Sequence, residues 1–353
     1  MLSIRNNNSA SVLAASIVAF GMMSTTCVPV HAADFNYRVV STQRLNGDIK
    51  WDYLTFDAER QRLFLTRGDH VDVYDLATKS VVANIPNTNG VHGVALAPKL
   101  DRAFTSNGKD NSVTVFELSS LKVIGTVASD KKPDAIIYDQ SSGHVFVANS
   151  EARNLTVFDA KTLQIVSTID VGGKPEFMVV DNKGKLFVNI EDTNQMIVVD
   201  TKLNKIKQKF ELGDVCEEPT GIDIDRATDT LFAGCHNQKM AIVNAKTGKI
   251  IGSPAIGKSS DATVYDAERK LAFSSNGDGT LTVIGKDKHG TYEQKQNVKT
   301  MITARTMVLD PITHNIYLVA AELEAPNPAV DKGANQRPKL KPGTFTLITV
   351  SSN

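Results

Sequence analysis

The chain is poor in aromatic residues and cysteine, and it has no excess of charge of either sign. A single Trp and 6% aromatic residues supply no ready stacking platform for single-stranded nucleic acid. Its 39 basic and 39 acidic residues cancel to a formal charge of zero, so the basic excess that usually marks a nucleic-acid surface is missing. A local basic patch is still compatible with that balance. Three cysteines do not form a Cys–His zinc spacing or a Cys-x-x-Cys-His haem site. A Gly-rich phosphate loop is absent as well. No stretch is long and apolar enough to read as a membrane span.

The longest apolar run, residues 12–23, belongs to a distinct first segment. Arg5 precedes it, and Val30-His31-Ala32 offers small residues before Ala33-Asp34. Those three parts make a secretory signal peptide over residues 1–32, cleaved near Ala32. The expectation is therefore a periplasmic or secreted protein. Cys27 follows Ser24-Thr25-Thr26, which lacks the Leu and small residue a lipid anchor would need. Cys216 and Cys235 remain after cleavage, and an even count in an oxidising compartment suggests one disulfide. A free thiol pair and a metal-binding pair are the alternatives.

What the sequence does have is a repeat. An alternating segment recurs and ends at Asp57, Pro98, Asp139, Asp181, Asp225, Asp266 and Asp310, spaced 41 to 44 residues apart. A polar turn and a second β-branched or aromatic run follow each copy: Leu63-Phe64-Leu65, Ala103-Phe104-Thr105, Val145-Phe146-Val147 and their equivalents. A third and a fourth run complete the unit. Four short strands per repeat of this length make one propeller blade. The last copy ends on its third strand, Thr344-Phe345-Thr346-Leu347-Ile348-Thr349-Val350, while residues 36–45 form an orphan strand ahead of the first copy. The expected fold is thus all-β: a single seven-bladed β-propeller domain over residues 33–353, with four-stranded blades and the amino-terminal strand closing the last one. An open solenoid would leave that strand unexplained.

Several segments are similar to the YVTN/YncE-like family of exported bacterial β-propeller proteins. The most specific are Cys216-Glu217-Glu218-Pro219-Thr220-Gly221-Ile222-Asp223-Ile224-Asp225, Leu231-Phe232-Ala233-Gly234-Cys235-His236-Asn237, Ser275-Asn276-Gly277-Asp278-Gly279-Thr280-Leu281-Thr282-Val283 and Ala304-Arg305-Thr306-Met307-Val308-Leu309-Asp310-Pro311. The resemblance spans nearly all of the chain after the first segment. It implies the propeller fold and a cell-envelope location, and it implies no defined activity.

In a propeller the first strand of each blade lines the channel, and the second strand returns to the face where the first began. Strand starts supply Asp52, His92, Asp134, Glu176, Thr220, Asp261 and Arg305. Second-strand ends supply Arg67, Asn107, Asn149, Glu191, His236 and Asn276. These groups are expected to converge on one channel mouth, a usual place for a ligand. They could instead be consumed in hydrogen bonds between blades. Glu176, Asn107, Asn149, Asn276 and Asp261 could form an oxygen-rich set suited to Ca2+, as in unrelated propeller lactonases. Neither His92 nor His236 stands beside a recognisable Ser or Cys nucleophile. Gly277-Asp278-Gly279 reads as a hairpin turn rather than a calcium loop. Cys216 and Cys235 fall at the same face of one antiparallel blade, which makes a bridge geometrically reasonable.

Residues 322–342, with Pro326, Pro328, Pro338 and Pro342, form the one long insertion, leaving from the face of the polar ring. The leading expectation is an exported, monomeric binding or interaction protein, not an enzyme. Its mouth would take a small molecule, a peptide or an envelope protein. The rivals are a metal-dependent lactonase-like hydrolase or lyase and an accessory protein of a periplasmic dehydrogenase.

Overall fold

Seven four-stranded antiparallel sheets are arranged as the blades of a propeller. The computed structural model describes residues 36–45, 47, 50–325 and 339–352. The expected signal peptide and residues 326–338 of the insertion lie outside the described residues. Blade one is built from Leu54–Asp57, Arg62–Thr66, Val71–Asp75 and Ser80–Ile85. Blade three repeats the plan with Pro133–Asp139, His144–Asn149, Asn154–Asp159 and Ile165–Asp170.

The strands differ in burial because they differ in distance from the channel. Second and third strands are sandwiched between neighbouring blades and are buried on both faces; His144–Asn149 is buried at all but its first residue. Fourth strands form the outer rim and expose most of their residues, as Ile165–Asp170 does. One aromatic at the same position of each second strand fills the space between blades: Phe64, Phe104, Phe146, Phe187, Phe232, Phe273 and Tyr317, all buried. Phe64 meets Phe116 of the next blade at 5.6 Å between centroids, and Phe104 meets Phe158 at 5.5 Å. Fully burying each such side chain contributes about 2–3 kcal/mol.

The turns after the first strands are held by buried aspartates. Asp57 Oδ1 accepts the amides of Glu59 and Arg60, and Asp139 accepts those of Ser141 and Ser142. The carboxylate stands in for a missing backbone acceptor and fixes the tight turn. Gly277-Asp278-Gly279 forms the hairpin turn between Leu271–Asn276 and Thr280–Lys286, with Gly279 at a φ of 87° that favours glycine.

The ring closes with the amino-terminal strand. Arg38–Arg44 pairs antiparallel with Thr346–Ser351 and becomes the outer strand of blade seven. The described arms of the insertion pair with each other: Glu324 N donates to Lys339 O, and Lys341 N to Glu322 O, both at 2.8 Å. Their base is tied to Thr303, whose hydroxyl donates to Ala321 O at 2.8 Å, two residues before Arg305.

Candidate functional site

The start of the first strand is irregular in most blades. Register shifts fall between Val91 and Val94, Pro133 and Ile136, Pro175 and Met178, Pro219 and Ile222, and Ser260 and Ala262. His92, Asp134, Glu176, Thr220 and Asp261 sit inside these bulges. A bulge leaves a residue out of the ladder and re-aims its side chain. Arg305 immediately precedes the first strand of blade seven, and Asp52 lies two residues before that of blade one.

Serine, threonine and asparagine side chains then stitch several of these strand starts to a neighbouring blade. Ser106 Oγ donates to Asp134 O, Asn189 Nδ2 donates to Thr220 O at 2.7 Å, and Thr306 Oγ1 donates to Asp52 O at 2.9 Å. Thr220 belongs to this scaffold, since its own hydroxyl donates to Ser260 O at 2.9 Å.

The charged strand starts are brought together. His92 Nδ1 lies 2.5 Å from Asp52 Oδ2 and 3.6 Å from Asp134 Oδ1. Arg305 Nη1 lies 2.8 Å from Asp261 Oδ2. Lys174 Nζ lies 2.7 Å from Glu176 Oε1 and also contacts Glu191. On the outer side, His236 Nδ1 lies 2.6 Å from Glu218 Oε2, and these two approach Glu191.

The remaining predicted residues are drawn into the fold. Asn107 is buried, and its amide donates to Ser112 and Thr114 while its oxygen accepts from Thr105. Asn149 does the same with Asn154, Thr156 and Ser129, and Asn276 with Thr280, Thr282 and Ser274. Each amide nitrogen braces the second strand against the third, and each oxygen accepts a hydroxyl from its own strand or a neighbouring loop. The amide oxygens that Asn107, Asn149 and Asn276 would bring to an oxygen-rich set with Glu176 and Asp261 thus each already accept a hydroxyl. Arg67 is fully buried, paired with Asp72 at 2.7 Å and stacked 3.8 Å over Phe345.

Lys174, Glu218 and Tyr53 join the mouth without having been singled out in the sequence. Tyr53 OH donates to Asp134 Oδ1 at 3.0 Å, and its ring packs 4.3 Å from Phe177. A signal for Lys174 was available: Lys132-Pro133-Asp134 and Lys174-Pro175-Glu176 repeat one Lys-Pro-acid pattern. Cys216 and Cys235 are bonded, with Cα atoms 5.2 Å apart. The bridge anchors the segments that carry Glu218 and His236.

The electrostatics of the mouth follow from burial. Burial pushes the carboxyls of Asp52, Asp134 and Asp261 up from their ordinary value, and the charges of neighbouring carboxylates add to it. Glu176 is pushed up to about 8, first by burial and then by Asp134. Glu191 goes the other way: burial raises it, but hydrogen bonds from Lys174 and Glu176 and the Lys174 charge outweigh that. Burial opposes charge on His92, yet its hydrogen bond to Asp52 and the Asp134 and Asp52 charges lift it to about 9. The Asp261 charge raises Arg305.

Fold and site together define a β-propeller with a charged channel mouth. The family model described as YNCE-like beta-propeller matches residues 16–185, reaching the second strand of blade four, which supports the YncE-like family. No curated protein matches the chain. Among solved structures, a chain in the mitotic checkpoint complex is similar with a TM-score of 0.71 and 14% identity, over 88% of this chain and 95% of that one. Hydrazine synthase of Kuenenia stuttgartiensis gives 0.68 and 13%, over 78% and 94%. The WD40 repeats of RRP9 give 0.74 and 8%, over 90% and 100%. At such identities the likeness concerns the fold alone.

Proposed function

We propose that the chain is an exported binding protein whose channel mouth receives a small ligand carrying positive charge. One observation carries this reading. Asp52, Asp134, Glu176, Glu191 and Asp261 surround the mouth, against His92, Lys174 and Arg305 as the cations paired with them. The acids outnumber those cations, and burial makes negative charge on them costly. An incoming cation relieves that cost, whereas an anion adds to it. The surrounding bulges and side-chain stitches hold the acids in place before any ligand arrives, which favours binding. The amino-terminal charge and apolar pattern support export, as does a disulfide, which persists in oxidising compartments.

The test uses protein recovered from the periplasmic fraction, with its amino terminus sequenced. Melting temperature is followed while linear diamines, and separately dicarboxylates of equal length, are added. Cleavage near Ala32 and a rise with diamines alone are expected. Saturation at a hundred times the dissociation constant stabilises by about 2.7 kcal/mol. Glu176→Gln and Asp261→Asn should reduce the rise. A rise with dicarboxylates alone would overturn the reading of the mouth.

A further inference from the structure

We propose that Asp52, His92 and Asp134 bind one divalent transition-metal ion of the Zn2+ class. The inference rests on reading the mouth as a site for positive charge, and it names the cation. The three residues come from the same repeat position in blades one, two and three, and their ligand atoms all lie within 4.8 Å of one another. Two carboxylate oxygens converge on a single ring nitrogen. Asp52 Oδ2 is 2.5 Å and Asp134 Oδ1 is 3.6 Å from His92 Nδ1. One Nδ1–H can serve only one of them well. A metal bound at about 2.0–2.2 Å to nitrogen and oxygen serves both, because its ligand atoms then stand about 3 Å apart, between the two observed separations. The ion would take the place of the Nδ1 proton.

The surroundings suit that occupant. The other edge of the imidazole packs against Gly108, where a Cβ would come within 2.8 Å of His92 Nε2. Glycine at 108 thus leaves the ring the room it uses. Tyr53 OH donates to Asp134 Oδ1 at 3.0 Å, and the Asp134 backbone oxygen is held by Ser106. Such outer contacts orient metal ligands. Side-chain exposures of 17%, 26% and 12% for Asp52, His92 and Asp134 leave one side open to the mouth. Three protein ligands with an open position can hold water or a ligand group. The donor set disfavours Ca2+, which takes six to eight oxygens, while imidazole with carboxylate suits Zn2+, Ni2+ or Cu2+. Glu191, Glu218 and His236 form a second such group, but Glu218 and His236 are exposed and Lys174 already occupies Glu191.

The mature chain, stripped with chelator and dialysed, is titrated with Zn2+ by calorimetry and with Co2+ by visible absorption. We expect one Zn2+ per chain and ligand-field bands from Co2+. Both should be lost in His92→Ala and retained in His236→Ala. Tyr53→Phe, which keeps all three ligands, should weaken binding about tenfold or more. It serves as the second variant if His92→Ala fails to fold. No Zn2+ binding by folded wild-type protein would overturn the proposal, as would binding that follows His236 instead of His92. Stabilisation of the metal-free protein by diamines, with no Zn2+ bound, would reject the metal and leave the reading of the mouth intact. If neither cation binds, both readings fall.

Discussion

Lys174 stands between two carboxylates that it does not serve equally. Glu191 is half-buried and falls below its ordinary value, so it is the ionised partner. Glu176 is more deeply buried, faces Asp134, and is pushed up from 4.5 to about 8. The sign of its effect on stability follows. A carboxyl with a raised folded-state pKa favours folding most when it is neutral. Its contribution is fully present below its unfolded value, near 4.5, and is lost as pH rises through about 8. Glu176→Gln removes that titration and keeps the shape. The melting temperature of the wild type should therefore fall more steeply than that of Glu176→Gln between about pH 5 and 8. Thermal melts followed by circular dichroism decide it, and parallel curves would mean that Glu176 is already ionised at neutral pH. At this scale the sequence was only partly legible. Asn107, Asn149 and Asn276 close their second strands at the position of Ile190 and Cys235, and Glu191 and His236 stand one residue further on. Periodicity places all of them at second-strand ends and says nothing about their partners. The three amides found hydroxyls on the third strand, while Glu191 and His236 gather with Glu218.

The strand is the unit the sequence declared most openly, because alternation with period two survives in every blade. The bulges were not legible. An extra residue in the first strand breaks the alternation by one step, which in a linear reading looks like ordinary irregularity. Yet the bulges carry the site: without them His92, Asp134, Glu176 and Asp261 would follow the regular alternation of their strands. The disulfide works on the same scale. It joins the segment before Pro219–Asp225 to the end of Thr230–Cys235, across a separation of 19 residues. Both cysteines are buried in the cluster between blades four and five. His236 N also donates to Glu217 O at 2.9 Å, so Glu218 and His236 are fixed by one covalent and one hydrogen-bonded link. Replacing both cysteines with serine should cost about 3 kcal/mol, since the open loop regains its freedom in the unfolded chain. Denaturant titration measures the loss. An unchanged midpoint, or both thiols reacting with a labelling reagent in unfolded, unreduced wild-type protein, would show that the bridge is not formed.

The ring of blades is shut by pairing the first described strand with the last. Arg38–Arg44 completes the sheet whose other strands are Thr306–Leu309, Ile316–Ala320 and Thr346–Ser351. The leftover strand at one end and the missing strand at the other made this closure readable from sequence. The clamp onto the neighbouring blade was not readable, because it depends on residues 232 or more positions apart. Tyr37 is buried, with its ring edge-on to Phe273 of blade six at 5.0 Å. Its hydroxyl accepts from Arg269 at 2.8 Å, and Arg269 also donates to Ser352 at 2.6 Å. Gln296, on the outer strand of blade six, accepts from Tyr37 N and donates to Tyr37 O. One side chain thus ties the amino terminus, blade six and the carboxyl end together. Tyr37→Ala should cost about 3–5 kcal/mol, as for other large buried aromatics. Tyr37→Phe keeps the ring and loses only the hydroxyl contacts, at about 1–3 kcal/mol. The pair separates packing from hydrogen bonding. If closure holds the molecule together, hydrogen exchange in Tyr37→Ala should quicken first in the strands of blade seven. Exchange that rises uniformly around the ring would instead mean that the blades stand without their seam.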